Sequence, residues 1–259
     1  MDKENLRIPI AIVIAGFFVA IAVILVGMMS SKQSNTSAVK FQSNLPSIRP
    51  ISDKDHIKGS LSADIIMLEY SDLECAVCKK FHETMNKTID SYGKLGKVAW
   101  VFRHLPISEL HSKARTEAEA AECAGMIAGP DKFWDVINRI YAITPGDNGL
   151  DLNLLPSIVL TSGVTEDALS KCMAGNEVKK IVENDYQDGL IATENLPGTP
   201  HNIWLLKNRL SSNAEKKLTS IFLSFNYPPQ ITNDKKAIII SGGLPNDLVK
   251  LFIEAILLK

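Results

Sequence analysis

The pair Cys75-Ala76-Val77-Cys78, set just behind the apolar run Ile65-Ile66-Met67-Leu68, most narrows what this chain can fold into. A buried strand must turn into a helix at that point. Amides at a helix start lack intrahelical partners and stabilise negative charge, and the thiolate is the nucleophilic form of cysteine. The spacing therefore predicts Cys75 at the helix start as the attacking thiol, with Cys78 one turn on as its resolving partner. A zinc site is the competing reading, with His82 one turn after Cys78 as a third ligand. Zinc needs four ligands, however, and Cys123 and Cys172 stand alone rather than in a second CxxC. Lys79 directly after Cys78 excludes the C-x-x-C-H haem-attachment pattern.

Ile65 to Tyr70 reads as a buried central strand, interrupted late by Glu69. Apolar residues at Val77, Phe81, Met85 and Ile89 then predict an amphipathic helix ending near Gly93, and Val98 to Phe102 is a second buried strand. Strand, helix and strand within some forty residues imply a right-handed parallel crossover, and so an α/β fold. Next comes a helical block over about 108–193. It opens with alanines at 114, 118, 121 and 124 and continues with helical patterns near 131–143, 151–162, 165–174 and 176–193. Strands return at His201–Leu206 and Lys236–Ser241, and a closing helix presents Leu248, Leu251, Phe252, Ala255 and Ile256 on one face. The polar stretch of about 207–235 is too long for a hairpin turn. It reads as an insertion, either covering a groove or docking a partner, or as a disordered decoration, which its polar centre favours.

Ile8 to Met29 is 22 residues without a charge, about 33 Å of helix and enough to cross a bilayer core. This predicts a transmembrane anchor over residues 1–29 with its short flank, retained because Gly27 to Ser31 is a poor cleavage site. Lys3 and Arg7 before the span against Lys32 and Lys40 after it lean towards an N-terminus inside. Residues 30–55, rich in Ser, Asn, Lys and Gln, read as a flexible linker, leaving 56–259 as one domain with a sizeable core. A net charge of −1 and the lack of a basic stripe interleaved with aromatics give no sign of nucleic-acid binding.

Several segments together resemble the membrane-anchored DsbA-like thiol–disulfide oxidoreductases of the thioredoxin superfamily. They are Asp55 to Gly59, Glu69 to His82, Phe102-Arg103-His104-Leu105-Pro106, Glu119 to Ala124 and Gly198-Thr199-Pro200. The resemblance implies a thioredoxin-like fold with a helical domain inserted between its second and third strands. It implies that Cys75 attacks, Cys78 resolves and Pro200 forms a cis bond with Thr199 facing the CxxC, in reach of an extended substrate. It also implies that Glu69 is a buried acid passing a proton to or from Cys78, although a Glu facing water from an edge strand fits the residues equally. A structural disulfide between Cys123 and Cys172 is implied as well, the alternative being two buried thiols. No cofactor or metal is expected.

Glu74, beside the nucleophile, either opposes thiolate formation by like charge or is exposed and only tunes the helix start. Among the five histidines, lone side chains that belong as a rule to surfaces or caps, only His201 directly after Pro200 is a substrate-contact candidate. Two departures from the family stand out. Ala-Val lies between the cysteines where a proline and a polar or aromatic residue are common, and Val77 supplies neither charge nor donor to a thiolate. That places Cys75 in the upper half of the range of about 3.5–7.5 seen for attacking CxxC thiols. The second departure is the 207–235 insertion. The function expected is oxidation of cysteine pairs in secreted proteins by an extracytoplasmic domain, reoxidised by a quinone-linked membrane partner. A membrane-fed reductase or isomerase, or a non-enzymatic binding module with a structural CxxC bridge or zinc ion, are the alternatives.

Overall fold

A computed structural model describes residues 42–224 and 229–258. The anchor expected over 8–29 and most of the linker lie outside them, and no helix among the described residues is long and apolar enough to cross a membrane. Among the described residues seven strands, β1 (Gln42–Ser43), β2 (His56–Lys58), β3 (Ile65–Ser71), β4 (Val98–His104), β5 (His201–Leu206), β6 (Gln230–Thr232) and β7 (Ala237–Ser241), form one sheet in the order β1-β6-β7-β5-β3-β4-β2. The central β3 runs parallel to β4 and antiparallel to β5, and α1 (Ala76–Thr88), extended by one π-helical turn over Ile89–Gly93, carries the chain from β3 to β4. This is the parallel crossover expected from the sequence. Between β4 and β5 lie α2 (Ala114–Ala128), α3 (Pro130–Ile143), α4 (Leu155–Leu160), α5 (Glu166–Ala174) and α6 (Asn176–Ala192), the helical insertion. A thioredoxin-like α/β architecture with an inserted helical domain results.

Strand alternation sorts the core into two layers. Ile65 and Met67 of β3, Trp100 and Phe102 of β4, and Trp204 and Leu206 of β5 pack with α1, α3 and the closing helix α8 (Asn246–Ile256). Leu68 and Tyr70, Val101 and Ile203 face the other way, against Ala192 and Tyr186 of α6. Gly189 is what lets α6 approach so closely, since a Cβ there would sit 2.8 Å from Leu105 Cδ1 and 3.2 Å from the Tyr70 ring.

Three sequence expectations change. The polar insertion is ordered as α7 (Ser212–Ser224), whose Ala214, Leu218 and Phe222 are buried, and as β6, which pairs with β7 on one side and β1 on the other. Phe222 meets Phe252 of α8 edge to face at 5.5 Å, so this segment is structural rather than a decoration. In α8 itself Leu251 is 41% exposed, and Val249 and Ile253 take the buried places. The folded unit also begins before residue 56. Arg49 bonds Asp185 at 2.7 Å, and its backbone carbonyl accepts from Arg103, whose fully buried guanidinium bonds Asp55 at 2.7 Å and Asp188 at 2.6 Å. Buried charges must be paired, and these partners fix residues 49–55 against the sheet.

Candidate functional site

The β3–α1 turn builds the site. Asp72 organises it, since its Oδ1 accepts from Glu74 N–H, its carbonyl accepts from Cys75 N–H at 3.2 Å and its Oδ2 accepts from Ile107 N–H at 2.8 Å. Cys75 then caps α1, with extended backbone and its sulfur accepting from Cys78 N–H at 3.4 Å. Both cysteines are free thiols; Cys75 is 8% exposed and Cys78 fully buried. Thr199, across a cis bond to Pro200, presents its carbonyl 3.5 Å from Cys75 Sγ. The Cys78 thiol donating to Cys75 is the main force lowering the Cys75 thiol to about 6, with the Cys78 amide, Thr199 and the Val77 amide adding to it against burial. That value falls in the upper half of the CxxC range, as expected. Burial, the Cys75 sulfur and Glu69 push Cys78 up instead. The two thiols are therefore unequal, one poised to ionise near neutrality and one held protonated.

Glu69 is fully buried on β3, so the reading of a solvent-facing edge residue is excluded. It lies on the α1 side of the sheet, accepting from Ser71 Oγ at 2.6 Å and Trp100 Nε1 at 2.9 Å. Burial pushes it up to about 7 despite those two donors, and the charge of Cys75 adds to the rise. A carboxyl that titrates near neutrality can hold or release a proton at working pH. Tyr141 closes this pocket, its hydroxyl reaching the Asp72 carbonyl and Ser71 Oγ, both at 3.1 Å.

Glu74 is also fully buried, which overturns the exposed reading. Burial resists its ionisation, but Glu117, Thr144 Oγ1 and the amides of Leu150 and Gly149 outweigh that and hold it below the ordinary carboxylate range. Both Glu117 oxygens are buried without a donor, and Glu117 is pushed up to about 9 by burial and by Glu74, so it keeps its proton and donates it to Glu74. The carboxylate thus latches the loop 144–150 beside the nucleophile. Gly146, at φ +85°, lets that loop pack against the start of α1, where a Cβ would sit 3.3 Å from both the Ala76 Cβ and the Glu74 carbonyl oxygen.

The surface-or-cap expectation fails for most of the histidines. His82, weighed as a zinc ligand, points Nε2 at Asn138 Oδ1 (2.6 Å) and packs on Trp100 and Tyr141. His201 does not line the Cys75 groove: it is 5% exposed, faces Ser241 on the α6 side of the sheet, and burial lowers it to about 4. Strand alternation is the reason, because His201 shares its face with Ile203. His111 and His104 are buried as well. Cys123 and Cys172 are joined by a disulfide between α2 and α5, Cα–Cα 5.9 Å. A cavity of about 710 Å³ is lined by Arg49, His56, Glu122 and Asp185, and neither cysteine lines it.

Sequence reasoning missed Asp72, Glu117, Trp100, Tyr141 and His111. Asp72, inside the motif Glu69 to His82, and Trp100, in register with Met67 on a strand already predicted, had signals that could have found them; Glu117, Tyr141 and His111 lack a local motif.

The Thioredoxin family model matches residues 52–203, more than half of the chain. Among curated proteins, the Na(+)/H(+) antiporter NhaA 3 of Salinispora tropica is 33% identical over 90 residues, 35% of this chain but 13% of that protein, so the chain spans only a small part of the curated relatives it matches. Two solved structures share the fold at 21% identity. Pseudomonas aeruginosa DsbA2 matches with a TM-score of 0.55 over 80% of this chain and 96% of that one, and Wolbachia pipientis alpha-DsbA1 with 0.57 over 80% and 94%. A free CxxC capping a helix opposite a cis-proline carbonyl, on a sheet carrying a helical insert, agrees with the sequence match: the chain belongs to the thioredoxin family, with the fold of the DsbA proteins.

Proposed function

We propose that this chain is a thiol:disulfide oxidoreductase that introduces disulfides into extracytoplasmic proteins, anchored in the membrane through residues 8–29. The observation that carries the reading is the unequal thiol pair, with Cys75 lowered to about 6 at the helix start and Cys78 buried and raised behind it. A substrate thiolate attacks Cys75 of the Cys75–Cys78 disulfide, forming a mixed disulfide and releasing Cys78 as a thiolate. Glu69, near 7 in this pocket, is suited to protonate it. A second substrate thiolate then attacks the substrate sulfur of the mixed disulfide and releases Cys75, so two electrons pass from substrate to enzyme. Thr199 and Pro200 offer backbone for an extended substrate to pair with. A quinone-linked membrane partner would take the two electrons onward.

Val77 is 49% exposed and gives the thiolate no side-chain donor, which keeps a membrane-fed reductase or isomerase as the second reading. Equilibration with glutathione buffers decides between them. A potential above about −200 mV marks an oxidant, whereas one near or below about −270 mV marks a reductase or a structural bridge. Stoichiometric zinc in the purified protein would overturn both redox readings.

A further inference from the structure

Beyond the Cys78 thiol and the helix-start amides, Val77 adds no positive potential at Cys75, and the surroundings are acidic: Asp72 and Glu74 precede it, Asp147 lies in the latched loop, and Glu117 backs Glu74. Into this cluster the turn before α2 inserts His111, 8% exposed. Its Nδ1 lies 3.0 Å from Asp72 Oδ2 and its Nε2 lies 3.6 Å from Asp147 Oδ1. The buried Asp72 carboxylate at Nδ1 and the negative charge of the exposed Asp147 on the Nε2 side both favour the imidazolium over the neutral ring. Both carboxylates belong to backbone that frames the nucleophile. The Asp72 carbonyl takes the Cys75 N–H at 3.2 Å, and the Asp147 N–H donates to the Glu74 carbonyl at 2.7 Å. The nearby lysines are committed elsewhere, Lys79 Nζ to the Thr144 carbonyl and Lys113 Nζ to that of Leu150.

We propose that His111, seated on Asp72 with Asp147 on its outer side, is the buried cation that stabilises the Cys75 thiolate, a positioning residue acting through charge where the CxxC dipeptide offers none. The inference rests on Cys75 being the attacking thiol. Burial disfavours the imidazolium, yet the bond and charge of Asp72, the charge of Cys75 and that of Asp147 hold His111 above its ordinary value. Linkage makes the coupling reciprocal: if the thiolate favours imidazolium, the imidazolium favours thiolate by the same factor.

That reciprocity gives a test without mutation. The full chain in detergent, with isotope-labelled histidine, is titrated by NMR with Cys75 and Cys78 first as a disulfide and then as dithiol. The His111 midpoint should rise by about half a pH unit or more in the dithiol, the size expected when two opposite unit charges couple in a partly buried site. His201, on the opposite face of the sheet, serves as the internal reference. A second arm follows thiolate absorbance near 240 nm against pH. His111→Gln should raise the Cys75 midpoint by a similar amount, and His111→Lys should restore it; a purely structural histidine would give neither result. Equal His111 midpoints in both redox states, with a low Cys75 midpoint in the wild type, would overturn this inference alone. A wild-type Cys75 midpoint near about 8.5 would overturn the nucleophile assignment with it.

Discussion

Replacing Glu69 by Gln should make the protein more stable at pH 8 while leaving it nearly unchanged at pH 4. The folded carboxyl titrates near 7 because it is fully buried, against 4.5 as its ordinary value. Between those values the native state holds a proton that the unfolded chain has lost, so stability falls as pH rises through this window and levels off above it. At about 1.36 kcal/mol per unit, the ionised wild type is penalised by about 3 kcal/mol at pH 8 relative to pH 4. Glutamine escapes the penalty and keeps the geometry, since its carbonyl accepts from Trp100 Nε1 and its amide can donate to Ser71 Oγ. Urea midpoints of both proteins, each in the dithiol state, at pH 4 to 8.5 give the difference directly. A wild-type minus E69Q stability difference that does not change with pH would refute the argument. The same variant should slow exchange at neutral pH by at least roughly tenfold, as expected for loss of a proton-transfer group.

Three further outcomes follow. Val77→His, at a half-exposed position that leaves the core untouched, should lower the Cys75 titration midpoint and raise the potential, each tenfold in the exchange constant reading as about 30 mV in glutathione equilibration. Removing the disulfide by C123A/C172A should cost about 2–4 kcal/mol in urea unfolding, since it closes a loop of 49 residues, and should leave the Cys75 midpoint unchanged. Arg103→Met leaves Asp188 buried without its cation and Asp55 with Arg49 alone, and should cost about 3–5 kcal/mol, read from the same unfolding curves.

What the sequence made legible was local. The CxxC behind an apolar run, the period-2 strands and the alanine-spaced helix all depend on neighbours a few residues apart, and the structure reproduces them. Residues 49–55 looked like a tether because their composition is polar; their order depends on Asp185 and Asp188, more than 130 residues away. α7 was hidden by its lysines, although Ala214, Leu218 and Phe222 recur at a helical spacing that a stricter count would have found. Glu74 and His111 share the same difficulty. Each sits in a polar stretch that reads as surface, and its burial is decided by a loop or turn brought in from elsewhere in the chain.

Adjacent residues of β3 belong to two polar systems that never meet. Glu69 faces Trp100, Ser71 and the cysteines, while Tyr70 faces away, donating to Asp188 beside Arg103. The strand works as an electrical partition, with a proton-handling compartment on one side and a set of ionic clamps on the other. Changes in the clamps alter how firmly the scaffold holds without retuning the thiols, and changes around the thiols shift their chemistry without loosening the clamps. A scaffold divided in this way can have its durability and its reactivity adjusted separately, one face at a time.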